Sequence, residues 1–470
     1  MPAYLAFDLG ASSGRAILGR LEAHRMHMDE LHRFKTPIIE EEGHLYWDLD
    51  AIWRHLQTGL RKALDAAPDL RSVSVNSWGV DYVPLDAEGR PLRRPFVYRD
   101  PRVKGRMEAA WEVLPAPAIY AATGIQFMPI NTLYQVLADQ EEEPARFGAT
   151  RNRLMMADYF NHRLGGRAVA EVSLASTSQL MDARTQTWST EVLEAFGIPA
   201  DTWPPIVPSG TRIGTLREHP AVTIIASCSH DTADAVAATP AAGARPWAYL
   251  SCGTWSLLGV ERAEPLLSEA ARRAGFTNEA GLDGTIRFLK NITGLWMLQE
   301  CERAWRQRGD TYTYDELMAE AEAAPPTGGP LDLTDPRFAV RGDMQARIVA
   351  YGREHGIPIP EERGPLVRTI LESLARAHRD TLRDLEAVLG TSIDVLHIVG
   401  GGARNRLLCQ WTADACGCEV VAGPAEATAL GNLLIQARTM GDLDDGVSIR
   451  DVVRHSTDLV TYRPSPRAAP

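Results

Sequence analysis

The sequence predicts an α/β protein built from two similarly organised domains, and three observations carry that expectation. The chain has 470 residues, more than one hydrophobic core holds together, so at least two domains are expected on length alone. Apolar strand segments alternate with amphipathic helical segments late in the chain, the pattern of a mostly parallel or mixed sheet covered on both faces. One strand–bend–strand pattern also occurs twice, as AYLAFDLGASSGRAILGR at 3–20 and AYLSCGTWSLLGVER at 248–262. Both copies begin Ala-Tyr-Leu, place Gly and hydroxyl residues in the bend, and leave on an apolar strand. A duplicated domain follows, with a boundary near TPAAGARP (239–246) and domains 1–240 and 241–470.

Along the chain, AYLAFDLG and RAILGRLE read as strands joined by ASSGR. Residues 49–66 form an amphipathic helix with Leu49, Ile52, Trp53, Leu56, Leu60 and Leu64 on one face. SVSVNSWGVDYVPLD alternates as a strand and turns at Asp86–Gly89. His24, His27 and His32 lie along a charged hairpin and are expected to be solvated rather than metal-bound. A long helix from about Leu366 to Leu389 stops at Gly390, and DVLHIVGGGARN is a buried strand breaking into glycines. A helix (RNRLLCQWTADAC), a strand (EVVAGP) and a further helix (AEATALGNLLIQARTM) follow, and RPSPRAAP is expected to fray.

Composition excludes several function classes. Acidic residues outnumber basic ones 61 to 49 for a net charge of −12, which argues against a nucleic-acid partner. No apolar run approaches the ~18 residues of a membrane helix, and a strand is under way by Tyr4, so neither a membrane partner nor a leader is expected and the cytoplasm is the expected location. The six cysteines are scattered, and Cys416-Gly-Cys418 lacks a second pair at zinc spacing, so reduced structural thiols are expected. The oligomeric state is not encoded.

The chemistry gathers in DLGASSGR (8–15), SCGTWS (251–256), VGGGARN (399–405) and the strand end CSHDTAD (228–234). None is a Walker A loop or a dinucleotide fingerprint. Gly/Ser turns nevertheless form anion nests from successive N–H groups, with hydroxyls of Ser12, Ser13 and Thr254 as further donors. Two such hairpins would clamp a polyphosphate, with Asp8 beside its metal ion. TIIASCSHDT reads as an apolar strand delivering Asp231 at its C-terminal end, where ligands of α/β folds collect. Asp231 is then free to accept a hydroxyl proton during phosphoryl transfer. Asp234 reads as a first-turn helix acid, whereas Asp81 and Asp158 could face the site or the core.

These segments, together with YRDPR, GIQFMPINTLYQ, LMMADYFNHRL and KNITGLWMLQE, resemble the FGGY carbohydrate kinases over nearly the whole chain, and within them most the bacterial L-rhamnulose kinases. The resemblance implies a duplicated ribonuclease-H-like fold, shared with actin, hexokinase and Hsp70, with an interdomain cleft. It also implies ATP-dependent phosphorylation of L-rhamnulose with Mg²⁺. Ala11, Ser12, Ser13, Gly14 and Arg15 would hold the ATP phosphates, with Asp8 positioning Mg²⁺ through water. Thr254, Asn291, Gln299 and Gly401 would line the nucleotide. Gly79, His230, Asp231 and Thr232 would contact the sugar, Asp231 as the base. Asn76 stands where the family pattern leads one to expect an acid. The alternatives are another ketose such as fuculose or xylulose, an actin- or Hsp70-like ATPase, and a sugar-sensing repressor. For the last two, the sequence offers neither a peptide-binding domain nor a helix-turn-helix.

Overall fold

A computed structural model describes residues 1–326, 328–338 and 340–466. The chain forms two compact units, one of Met1–Ala238, Glu261–Phe288 and Ala427–Ser456, the other of Thr239–Val260, Leu289–Glu426 and Thr457–Pro470.

The first unit is built on β1 (Ala3–Leu9), β2 (Ser13–Glu22) and β3 (Arg25–Lys35). Helix α1 (Leu49–Ala66) then crosses to β4 (Leu70–Ser77), which pairs in parallel with β1. Asp48 opens α1 by accepting a hydrogen bond from the Ala51 N–H at 2.9 Å. Leu49, Ile52, Leu56 and Ala63 of α1 are buried, while Trp53, Leu60 and Leu64 are only half-buried. Helix α2 (Met156–Leu164), strands β5 (Thr211–Thr215) and β6 (Thr223–Ala226) and helix α3 (Asp231–Ala237) complete the part used below. The sheet order is β5-β6-β4-β1-β2-β3. Every residue of β1 is buried, as expected of a strand covered on both faces.

The second unit repeats the opening plan. Strands β7 (Trp247–Cys252) and β8 (Trp255–Arg262) form an antiparallel hairpin. Helix α4 (Trp296–Gln307) and the long α5 (Arg363–Leu389) lead to β9 (Val395–Val399), parallel to β7. Helix α6 (Arg406–Cys416) and strand β10 (Glu419–Ala422) extend the sheet in parallel. The chain then returns to the first unit as α7 (Ala427–Met440) before β11 (Val460–Tyr462) closes the second sheet against β10. In both units the hairpin's first strand therefore lies between its antiparallel partner and a parallel strand reached through helix.

Four details depart from the sequence expectations. The compact units divide the chain differently from 1–240 and 241–470, because α7 is tied to the first sheet: Gln436 donates to the Leu5 carbonyl at 3.0 Å and accepts from Ser72 at 2.7 Å. The segment 72–86 is not one strand but breaks after Ser77 and resumes at Tyr82. His32 is half-buried rather than freely solvated; its ring lies 3.0 Å from His55 of α1 and stacks near Phe34. The start of the C-terminal tail is tethered rather than frayed, with the Ser465 N–H donating to Asp414 at 2.8 Å and Gln410 to the Arg463 carbonyl at 2.9 Å; the last four residues lie outside the described ones. Among the described residues no helix is long and apolar enough to cross a membrane.

Candidate active site

Asp8 is the one carboxylate in a strand that is otherwise apolar but for the Tyr4 hydroxyl, and it faces Arg15 across the β1/β2 register. The two form an ion pair at the lip of the bend. The bend is closed by the Gly10 N–H on the Ser13 carbonyl at 3.0 Å, while Thr36 binds the Gly10 carbonyl at 2.6 Å and the Ser12 carbonyl at 3.2 Å. Carbonyls are thus satisfied internally. Among the described residues the Ala11 and Ser12 N–H groups have no protein acceptor, and Ser12 is exposed. Free donors in a Gly/Ser bend form a concavity suited to an anion.

Asp231 does not end a strand as expected. β6 stops at Ala226, and Ser227–His230 carry the chain to α3, which Asp231 opens. The turn is fixed from below by the Ser229 N–H on Glu171 at 2.9 Å and the Ser77 N–H on the Ser229 carbonyl at 2.9 Å. Asp231 keeps 29% of its side chain exposed and accepts from the Thr232 hydroxyl at 3.1 Å. Burial raises its pKa above the ordinary carboxylate range; His230 opposes that shift and the charge of Asp8 adds to it. Asp8 and Asp231 therefore sense each other's charge within the first unit.

Behind Asp231 stands a group that sequence reasoning missed. His230 Nε2 lies 3.5 Å from Asp231, and its Nδ1 lies 3.3 Å from Glu279 and 3.2 Å from Arg287. Arg287 pairs with Glu279 at 3.0 Å and is completely buried. Burial alone would push the Glu279 carboxyl up, but the Arg287 guanidinium and His230 bring it below the ordinary range. Nothing local in TNEAGLDGTIRF distinguishes this pair from a surface one; only the fold brings it to His230.

Gly79 sits where a side chain would meet Thr177, since a Cβ there would lie 2.9 Å from the Thr177 hydroxyl. The next residue, Val80, holds a φ of +66°, a conformation costly for a β-branched residue. It is pinned by Thr177, which accepts its N–H at 3.1 Å, and by Thr132, which donates to its carbonyl at 2.6 Å. This bend is what interrupts the expected strand. Asp81 turns inward and accepts from Trp47 at 2.6 Å, Trp78 at 2.9 Å and Gln135 at 2.9 Å, so it belongs to the core. Asp158 is likewise buried, with the Glu171 N–H 3.3 Å away. Tyr82 is core too, its hydroxyl bound to Asp139. Asp234 is fully buried and held by Asn76 at 2.6 Å and Asn432 at 3.1 Å. Asn76 thus supplies an amide that an acid could not.

In the second unit the β7/β8 bend presents Thr254, whose hydroxyl lies 3.1 Å from Gln299 Oε1 on α4. The Thr254 carbonyl is held by the Gly294 and Trp296 N–H groups, each at 3.2 Å. Asn291 is half-buried just upstream. Gly401 is exposed, and its neighbour Gly402 packs so tightly on β7 that a Cβ would fall 2.3 Å from Cys252 Sγ. The structure thus brings Thr254 beside Gln299 and the glycine turn against the end of β7.

Family models for the FGGY family of carbohydrate kinases match the chain at residues 3–237 (N-terminal domain) and 248–440 (C-terminal domain). The chain belongs to the FGGY carbohydrate kinases. It is 42% identical to a rhamnulokinase of Bacteroides thetaiotaomicron, covering 99% of this chain and 96% of that one. It is 39% identical to a rhamnulokinase of Enterococcus faecalis, covering 98% and 94%. Its fold matches a crystal structure of xylulose kinase from Rhodospirillum rubrum with a TM-score of 0.79 at 19% identity, over 99% of this chain and 95% of that one. Among the described residues no group of three or more His, Cys, Asp or Glu side chains is placed to hold a metal ion. Asp8, a single carboxylate near the end of β1, fits Mg²⁺ held through water, since that ion keeps most of its waters and takes substrate phosphate oxygens.

Proposed function

We propose that the protein transfers the γ-phosphoryl group of ATP to the C1 hydroxyl of L-rhamnulose, giving L-rhamnulose 1-phosphate and ADP in L-rhamnose breakdown. The similarity of nearly the whole chain to relatives named rhamnulokinase, at 42% identity in one case, carries this reading. It is a cytoplasmic reaction on this account, since ATP is its co-substrate.

Asp231 accepts the C1 hydroxyl proton as that oxygen bonds to the γ-phosphorus and the bond to ADP breaks. Its exposure and its raised pKa suit a base that must meet a neutral hydroxyl. His230, Thr232 and Gly79 hold the sugar, with the Glu279–Arg287 pair fixing the His230 ring. The bend from Ala11 to Arg15 takes the phosphates on the N–H groups of Ala11 and Ser12 and the serine hydroxyls, and Thr254, Asn291, Gln299 and Gly401 take the rest of the nucleotide. Asp8 would hold Mg²⁺ through water, and the ion would neutralise phosphate charge. Phe127 and Met128 in GIQFMPI, both half-buried, would face the C6 methyl.

Phosphorus NMR of the product tests this directly. Transfer to C1 gives a monoester resonance split by two protons. Splitting by a single proton would place the phosphate on a secondary carbon and overturn the assignment.

A further inference from the structure

Helix α1 carries more apolar surface than the first unit's core uses. Trp53, Leu60 and Leu64, one step round from the buried stripe, form a wall of a cavity of about 470 Å³. The other walls are Arg163 and Leu164 at the end of α2 and the segment Leu216–His219 after β5. The volume is that of a small-molecule site. No residue lining it has a part in the phosphoryl transfer described above.

The charge around this cavity is one-sided. Arg54, Arg61, Arg163 and Arg217 reach it, against the single carboxylate of Glu218. Among the described residues Arg54, Arg61 and Arg217 have no carboxylate partner, and Arg61 has only the Thr58 hydroxyl at 3.4 Å. Arg163 lies over the Trp53 ring, 4.7 Å from its centroid, and meets Asp50 at a long 3.4 Å. Other guanidiniums of this acidic chain are paired with a carboxylate, as Arg363 is with Glu320 and Arg287 with Glu279, or rest on backbone carbonyls, as Arg184 does on Ala121 and Arg212 on Thr439. Collecting unpaired cations around a half-covered tryptophan costs mutual repulsion that an anionic ligand would relieve. An adjoining cavity of about 590 Å³ shares Arg163 and Arg217 but also carries Asp48, Asp50 and Glu88, and its further Arg90, Arg93 and Arg94 are already paired with Glu88, Asp139 and Glu41, so the anion belongs on the Trp53 side.

We propose that this cavity binds a small organic phosphate, a phosphate ester on a planar apolar body. Trp53, Leu60 and Leu64 receive the body. The guanidiniums receive the phosphate through charge-assisted, bidentate hydrogen bonds.

The test uses the full chain and 1-naphthyl phosphate as the probe, followed by titration calorimetry, with 1-naphthol and inorganic phosphate as its separate halves. The probe is expected to saturate one site about tenfold or more tighter than either half, without displacement by excess Mg·ATP. Arg61→Glu and Arg217→Glu, on exposed residues of different segments, should each weaken it about tenfold while leaving kcat for the sugar unchanged. Equal binding of 1-naphthol, displacement by Mg·ATP, or unchanged affinity in both variants would each overturn the assignment. Using two variants keeps the test intact if one fails to fold.

Discussion

Replacing Asp231 with Asn removes a charge and a proton acceptor while keeping the shape of the side chain. A general base contributes roughly 10²–10⁴ in rate, and the surroundings of Asp231 place this site in the upper half of that range. Among the described residues no neighbouring carboxylate is free to substitute: Asp8 is paired with Arg15, Glu279 with Arg287, and Asp234 is enclosed by Asn76 and Asn432. A loss in kcat of about 10³ or more is expected, about 4 kcal/mol of barrier. Nucleotide affinity should hardly change, because Thr232 can still bond the Asn carbonyl oxygen. Stability should move the other way. The folded pKa of Asp231 is raised by burial, against His230 and with Asp8, so the ionised carboxylate weighs on the folded state at neutral pH. Asp231→Asn should therefore melt higher than the parent at pH 7, and the gain should vanish below the ordinary Asp value of 3.8. ADP release in a coupled assay and melting followed at both pH values provide the readout. A variant that keeps more than about a tenth of kcat would refute the role of Asp231 as base.

Further outcomes follow from other positions. Asp8→Asn should raise the Mg²⁺ concentration for half-maximal rate and lower kcat together; an unaltered Mg²⁺ dependence would leave Asp8 a structural strand end. Gly431→Ala places a Cβ 1.9 Å from the Asp234 carbonyl oxygen, where neither helix can yield, so a cost of about 1–3 kcal/mol and a lower melting temperature are expected. Burial pushes the Asp81 carboxyl up to about 6 against the hydrogen bonds of Trp47, Gln135 and Trp78. The parent should therefore lose about 3 kcal/mol relative to Asp81→Asn as pH rises from about 4 through 6, with no further change above, checked by denaturation across that range.

Much of the fold was legible because periodicity and punctuation agree. Helix α1 is bounded by Asp48 and its apolar spacing, α5 stops at Gly390, and both hairpins carry their Gly and hydroxyl bends. What stayed hidden depends on contacts between distant segments. Nothing in AEATALGNLLIQARTM marks Asn432 and Gln436 for burial, yet both are fully buried because Asp234, Ser72 and the Leu5 carbonyl await them in the first unit. The break at Val80 left no mark in an alternating pattern, since a β-branched residue at positive φ is held there only by Thr177 and Thr132. Asp81 read as a site candidate because a buried carboxylate and an exposed one look alike until Trp47 and Trp78 are seen to point at it. Glu279 and Arg287 escaped notice for the same reason, lying far in sequence from the His230 they hold.

The central claim is tested most directly by comparing kcat/KM across ketoses with Mg·ATP in excess. Polar groups left unpaired by a misplaced hydroxyl cost a substrate far more than a changed methyl, which is worth only about 1–3 kcal/mol. The account predicts that L-rhamnulose exceeds L-fuculose and D-xylulose by a wide margin, while L-fructose, its 6-hydroxy analogue, remains a detectable but poorer substrate. A higher kcat/KM for L-fuculose or D-xylulose would contradict the substrate assignment, and ATP turnover independent of any ketose would contradict the kinase reading itself.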